Sequence, residues 1–278
     1  MKDKHINILF PQWQGGGANK ATWFGAMEVK KNYLDMNRFF EIEVGLDENE
    51  AVENNIWGYR TIARQLKQVR ALIDNEKPDT VFTVGGGDDI EVIPMSYANH
   101  KTGGDMSVVF FDAHGDLNTP ESSPSKNFHG MPLRTLFGES DPDILKLLYK
   151  TLSHDQVVMV GTRDCDEAEE EYIAQNNIRV ITAGEANADS CAVIDALKEK
   201  GSKNVYVHID IDVLDPKEFP YQPVPADNGL AIETLSGLLA RIQKEFNVVG
   251  VCILGYTAMD NKRIGILDEI FALGMKDS

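Results

Sequence analysis

The sequence predicts an α/β protein built on a central sheet of about eight strands, mixed or wholly parallel. Eight short apolar runs, most of them β-branched or aromatic, recur along the 278 residues. Segments with helical spacing lie between them, giving a β then α alternation. The runs are almost continuously apolar, as expected of strands buried on both faces of a parallel sheet rather than alternating ones.

In chain order the strands are expected over 6–10, 42–46, 80–84, 107–111, 156–160, 178–182, 204–209 and 248–254. The clearest helix is 57–76, where Ile62, Leu66, Val69 and Ile73 fall at steps of three and four. Comparable patterns cover 143–149, 192–197, 232–246 and 267–275. No internal repeat, low-complexity tract or Pro/Gly/Ser linker marks a boundary, so one domain over 1–278 is expected. The segment 117–132 is the one long stretch without regular periodicity, and long loops inside compact domains are often functional.

Composition narrows the function. There are 27 basic and 44 acidic residues, a net charge of −17. That balance excludes nucleic acid or an anionic membrane as the main partner and leaves a cationic or small polar substrate. Hydrophobic content of 42% and charged content of 26% are ordinary for a globular chain. Cys165, Cys191 and Cys252 are odd in number and lack metal-type spacing, which points to a reducing compartment and a cytoplasmic protein. No apolar stretch approaches the roughly 20 residues of a membrane span.

Chemistry concentrates where strands end. The run SVVFF leads into Asp112, Ala113, His114, Gly115 and Asp116, with potential ligands at alternate positions. VYVHI ends in Asp210, Ile211 and Asp212, then Val213, Leu214, Asp215 and Pro216. Two aspartates two apart on an apolar strand share a face and repel each other unless cations neutralise them. One aspartate at a strand end reads as a helix cap or turn former. Both motifs together would bury several unpaired carboxylates, and a metal site explains them more simply.

The oxygen-rich donor set with one imidazole suits Mn or Mg better than a thiolate-type zinc site. Two such ions would acidify a water held between them and supply a hydroxide for attack on an electrophilic carbon. His5, His100 and His154 read as surface or loop residues. His208, inside a strand just before the acidic pair, is open between a residue supporting a ligand, a core histidine and a catalytic one.

These motifs resemble the arginase family of binuclear manganese ureohydrolases. The resemblance is carried by DAHGDLNTP at 112–120, SKNFHGMP at 125–132, VGTRDCDEAE at 160–169 and HIDIDVLDP at 208–216. It spans nearly the whole chain and implies the three-layer arginase-type fold around a parallel sheet of about eight strands. It also implies two Mn(II) ions per chain, with Asp112 and Asp210 bridging both, Asp116 serving the first, and His114 with Asp212 serving the second.

By the same resemblance Asp116 takes up a proton and His129 shuttles protons in the pocket, a role suited to an imidazole. Asn118, Ser125 and Asn127 match positions that hold the α-carboxylate of an amino acid. Asp166 matches the one facing the α-amino group, and Glu169 supports it. The charges agree with the chemistry, since amide and hydroxyl donors suit a carboxylate and a carboxylate suits an ammonium. The acidic run 166–171 also reads as the solvated first turn of a helix.

Two departures stand out. The family's Gly-Gly-Asp-His pattern is set on Gly86, Gly87, Asp88 and Asp89, which assigns Asp89 as a ligand of the first ion in place of histidine. The preceding glycines leave open which of the two aspartates faces the metal, and the first site could instead be weak or empty. The glutamate that grips a guanidinium in arginases is Gly255 here.

The expected activity is hydrolysis of a linear amidino C–N bond of an arginine-like amino acid, giving urea or a urea analogue. Nω-hydroxy-L-arginine amidinohydrolase activity is the alternative that Gly255 suggests. A third reading is a catalytically weak relative that binds an amino acid or regulates a partner. The resemblance implies a homo-oligomer, trimer or hexamer, with no nucleic-acid or membrane partner.

Overall fold

The structure is a computed structural model that describes residues 4–46, 51–257, 260–261 and 263–275, with the Asn37 side chain excluded. Eight strands form one sheet: β1 (His5–Phe10), β2 (Phe39–Glu41), β5 (Thr80–Gly85), β6 (Ser107–Phe111), β7 (Val157–Val160), β8 (Arg179–Ile181), β9 (Asn204–Asp210) and β10 (Asn247–Leu254). Their order is β2-β1-β5-β10-β9-β6-β7-β8, and every pairing is parallel. A small antiparallel hairpin, β3 (Val52–Glu53) with β4 (Ile56–Trp57), stands apart.

Helices cover both faces, because strands apolar on both sides must be buried on both. One face carries α1 (Ala21–Asn32), α7 (Ala183–Ala188), α8 (Cys191–Glu199), α9 (Ile232–Glu245) and α10 (Gly265–Gly274), packed against Val109, Val207 and Val251. The other carries α2 (Tyr59–Glu76), α3 (Val92–Lys101), α4 (Pro132–Leu136) and α6 (Glu167–Gln175), packed against Ile8, Phe110 and Cys252. In α2 the stripe Ile62, Leu66, Val69 and Ile73 is fully buried. The helix stops where Lys77 turns left-handed and Pro78 follows.

Several expectations need correction. The second strand is 39–41, not 42–46. Asn7 to Leu9 pair with Phe39 to Glu41, and only the Ile42 N–H continues the ladder, to Leu9 O. The chain then leaves the sheet, and the Gly45 carbonyl accepts Trp13 Nε1 and Gln14 Nε2 instead.

The helix expected over 143–149 is only α5 (Pro142–Leu145). Beyond it the Arg70 guanidinium takes the Leu147 carbonyl at 2.7 Å. Helices α1 and α3 were not expected. Eight of the ten α3 residues are buried, so it has no polar face to reveal its period.

Candidate metal centre

Strands β5, β10, β9 and β6 are neighbours at the centre of the sheet, and the chain leaves their carboxyl ends on one rim. Ligands of open α/β sheets bind outside that rim. Here β6 delivers Asp112, His114 and Asp116, β9 delivers Asp210 and Asp212, β5 delivers Asp88, Asp89 and Glu91, and β10 delivers Gly255. A cleft of about 260 Å³ opens above them.

Asp112 lies at the junction of two clusters of candidate ligands. Asp112, His114 and Asp212 form one, and Asp88, Asp112 and His208 form the other, each with ligand atoms within 4.8 Å of one another. His114 Nδ1 stands 3.2 Å from Asp212 Oδ2 and 3.5 Å from Asp112 Oδ1. Backbone amides fix the carboxylates. Asp112 Oδ1 accepts from His114 N–H, Asp212 Oδ1 from Ala113 N–H and Asp210 Oδ1 from Asp212 N–H. Asp116 holds left-handed backbone at φ 54°, uncommon for a residue with a side chain.

The electrostatics call for cations. Burial pushes Asp88, Asp116 and Asp210 well above the usual carboxylate range, and the neighbouring carboxylates push them further. Asp112 alone is held down, to about 2. Burial opposes this, but hydrogen bonds to His114 and His208 outweigh it. His114 rises to about 12, against the effect of burial, because Asp112 and Asp212 flank it. Asp88 Oδ1 and Asp116 Oδ2 are buried with no hydrogen-bond partner. Orphaned carboxylate oxygens facing several like charges are what divalent ions would satisfy, so the donor set fits them.

The expected ligand Asp89 is not in this cluster; Asp88 is. Asp89 turns the other way, and its Oδ1 lies 3.4 Å from His129 Nε2. The reason is steric. The turn after β5 is pinned by Gly86 N–H to Phe10 O and Gly87 N–H to Gln12 O, which sends consecutive side chains to opposite sides. A Cβ at Gly87 would stand 1.8 Å from His129 Nε2, so only glycine leaves room for that ring. Of the two aspartates in this turn, Asp88 is therefore the one that faces the carboxylate cluster.

The loop 117–132 lines the cleft. His129, Asn118, Ser125, Asn127 and Glu169 reach it together with His114, Asp116, Asp210 and Asp212. Asp166 lies one layer back, where its Oδ2 accepts Asn118 Nδ2 at 2.8 Å. It also caps α6, accepting the Ala168 and Glu169 amides. Glu169 returns the bond to the Asp166 amide and accepts Leu117 N–H at 2.9 Å, tying the loop to the helix. Ser125 Oγ accepts Asn127 N–H at 3.2 Å.

Sequence reasoning assigned Asp89 while leaving Asp88 open, and it missed Glu91. A glutamate between Ile90 and Val92 in an apolar stretch was the available signal.

Gly255 is left-handed at φ 77°, and a Cβ there would meet Asp210 Oδ1 at 2.3 Å. No side chain of any kind fits at this position without moving a candidate ligand.

Fold and site together define a metal-dependent hydrolase of the parallel α/β class. An arginase-family model matches residues 14–255, and the chain belongs to the arginase family, whose members are metal-dependent amidinohydrolases. An arginase from Staphylococcus aureus is 32% identical over 227 residues, covering 77% of this chain and 71% of that protein. An N(omega)-hydroxy-L-arginine amidinohydrolase from Streptomyces lavendulae is 41% identical over 131 residues, 47% of this chain and 44% of that one. The Entamoeba histolytica arginase, solved in complex with L-ornithine, superposes with a TM-score of 0.85 at 23% identity. That likeness covers 98% of this chain and 97% of the other and confirms the fold.

Proposed function

We propose that the protein is a Mn(II)-dependent hydrolase that cleaves the amidino carbon–nitrogen bond of an arginine-like amino acid, giving urea or a urea analogue and the amine. The supporting observation is the pair of candidate ligand clusters sharing Asp112 beneath a cleft walled by the loop 117–132. Asp112, Asp210, Asp116, His114, Asp212 and Asp88 would hold two Mn(II) ions. When bound, the ions supply charge that polarises the amidine and acidifies a water for attack.

The chain's own groups orient the substrate and carry protons. Asn118, Ser125 and Asn127 offer donors to an α-carboxylate. Asp166, held through Asn118 and supported by Glu169, offers a carboxylate to the α-ammonium. In this reading Asp116 holds a proton and His129 passes one to the departing amine; the unpartnered Asp116 Oδ2 and the position of both residues in the cleft support it. The ornithine-bound amoebic relative supports an amino-acid ligand in this cleft. A homo-oligomer in the cytoplasm belongs to the same reading. Among the described residues no helix is long and apolar enough to cross a membrane.

Gly255 favours a second reading of the substrate, Nω-hydroxy-L-arginine. A guanidinium would lack the carboxylate that arginases use, whereas a less basic hydroxyguanidine needs it less. The test is turnover by Mn-loaded protein of arginine, Nω-hydroxyarginine and agmatine, which has no α-carboxylate. Hydrolysis of the amino acids but not agmatine is expected, with hydroxyarginine well ahead of arginine. Equal rates, or a preference for arginine, reject the hydroxyarginine reading. Two bound ions with no amidine hydrolysed reject the hydrolase.

A further inference from the structure

His208 lies on β9 two residues before Asp210, so the two side chains share one face of the strand. Beneath the carboxylates that face is closed. His208 and Glu91 are both 0% exposed. The imidazole is stacked flat on Phe110, with ring centroids 3.8 Å apart and planes within 3°, so it has no room to swing. Its Nδ1 is 2.7 Å from Glu91 Oε2, and its Nε2 is 3.2 Å from Asp112 Oδ2.

We propose that His208 is a nitrogen ligand of the ion held by Asp88 and Asp112, with Glu91 as its positioning residue. The inference rests on the binuclear reading above and assigns the first site its imidazole. Asp88, a carboxylate, is the residue of the β5 turn that faces the first site, which leaves that site with oxygen donors only unless another element supplies a nitrogen. His208 is the imidazole that shares a cluster with Asp88.

Glu91 Oε2, 2.7 Å from Nδ1 though not aligned with it as a hydrogen bond, favours the proton on that nitrogen and leaves Nε2 directed at the cluster, as in carboxylate–histidine–metal arrangements. Without an ion, Nε2 needs a proton of its own to meet the Asp112 carboxylate oxygen, which makes the ring an imidazolium between two carboxylates. An ion bound by both takes the place of that proton. Three donors spread about 2.1 Å from one ion are about 3.6 Å apart, so three atoms within 4.8 Å of one another need close by about 1 Å at most. The competing role is an imidazolium that braces Asp112 from below and never touches metal.

Metal titration with pulsed EPR on the full chain separates the two. In H114Q the other candidate imidazole is gone, and one equivalent of Mn(II) is expected to show nitrogen coupling from a histidine ring. In H208Q the chain is expected to lose one of its two ions, or to bind it about 10- to 100-fold more weakly. E91Q is expected to weaken the same ion while keeping the nitrogen coupling. An H114Q protein that binds no Mn, or binds it without imidazole coupling, overturns the proposal. So does an H208Q protein holding two ions with native affinity. If H208Q fails to fold, the H114Q spectrum decides. A native chain that binds one ion, coupled only to His114, overturns the binuclear reading itself and this assignment with it.

Discussion

His129 Nε2 stands 3.4 Å from Asp89 Oδ1, and this contact separates two adjacent aspartates into different roles. Asp88 faces the carboxylate cluster, while Asp89, fully buried, backs the histidine that lines the cleft. D88N is expected to lower Mn content by about one ion per chain. D89N should leave metal content unchanged and cut kcat by on the order of 10²-fold, because His129 loses the carboxylate that orients it. Elemental analysis beside steady-state kinetics checks both. Loss of an ion in D89N rather than D88N would return Asp89 to the metal.

That separation marks the limit of what the sequence reveals. The motifs at 112–116 and 210–212 could be read because carboxylates ending apolar strands have few other uses. Most of the strands could be read from their apolar runs and α2 from its stripe, but not the order of the strands in the sheet. Which of Asp88 and Asp89 faces the cluster depends on how a glycine turn is pinned to 10–12, a contact across two strands that no local pattern encodes. Helix α3 stayed hidden because burial on all sides erases periodicity. Asp166 was legible as a cap, and the structure shows that cap; its proposed head-group role rests on the bond it accepts from Asn118 Nδ2.

The cluster's electrostatics predict how stability depends on pH. In metal-free protein His208 is raised to about 10 and His114 to about 12, above the ordinary histidine value near 6.5. Between pH 6.5 and 9 the folded state therefore binds more protons than the unfolded chain, so stability falls as pH rises. The raised Asp88, Asp116 and Asp210 act in the same direction. Metal-free protein is expected to melt at lower temperature at pH 9 than at pH 6.5. Mn loading should release protons and stabilise by about 2.7 kcal/mol at a free-ion concentration of about 100 Kd. Thermal melts with and without chelator, and calorimetry in buffers of different ionisation enthalpy, measure these effects.

The head-group side of the cleft can be tested without disturbing the metal. N118A removes the donor that meets Asp166 Oδ2 at 2.8 Å. It should raise KM for an amino-acid substrate about tenfold with Mn content unchanged. D166N keeps that site's shape but weakens the cap of α6, so a small loss of stability, about 1 kcal/mol or less, should accompany the higher KM. An unchanged KM in both variants would place the amino-acid head group elsewhere.

Restoring an arginase-like pocket is expected to fail at one position and work in part at the other. G255E would force a side chain onto left-handed backbone and bring its Cβ within 2.3 Å of Asp210 Oδ1. The collision falls on a candidate metal ligand, so the variant should lose Mn affinity rather than gain arginine turnover. D88H puts an imidazole at the residue of the β5 turn that faces the cluster, and Asp88 Oδ1 has no hydrogen bond to lose. Metal binding is therefore expected to survive in D88H, with one fewer negative charge in the cluster and a stronger Lewis acid at that ion. Parallel Mn titrations and urea release from arginine compare the variants. A G255E protein that binds two ions and hydrolyses arginine faster than the native chain would show that the β10 turn yields, and that Gly255 sets specificity by an absent carboxylate alone.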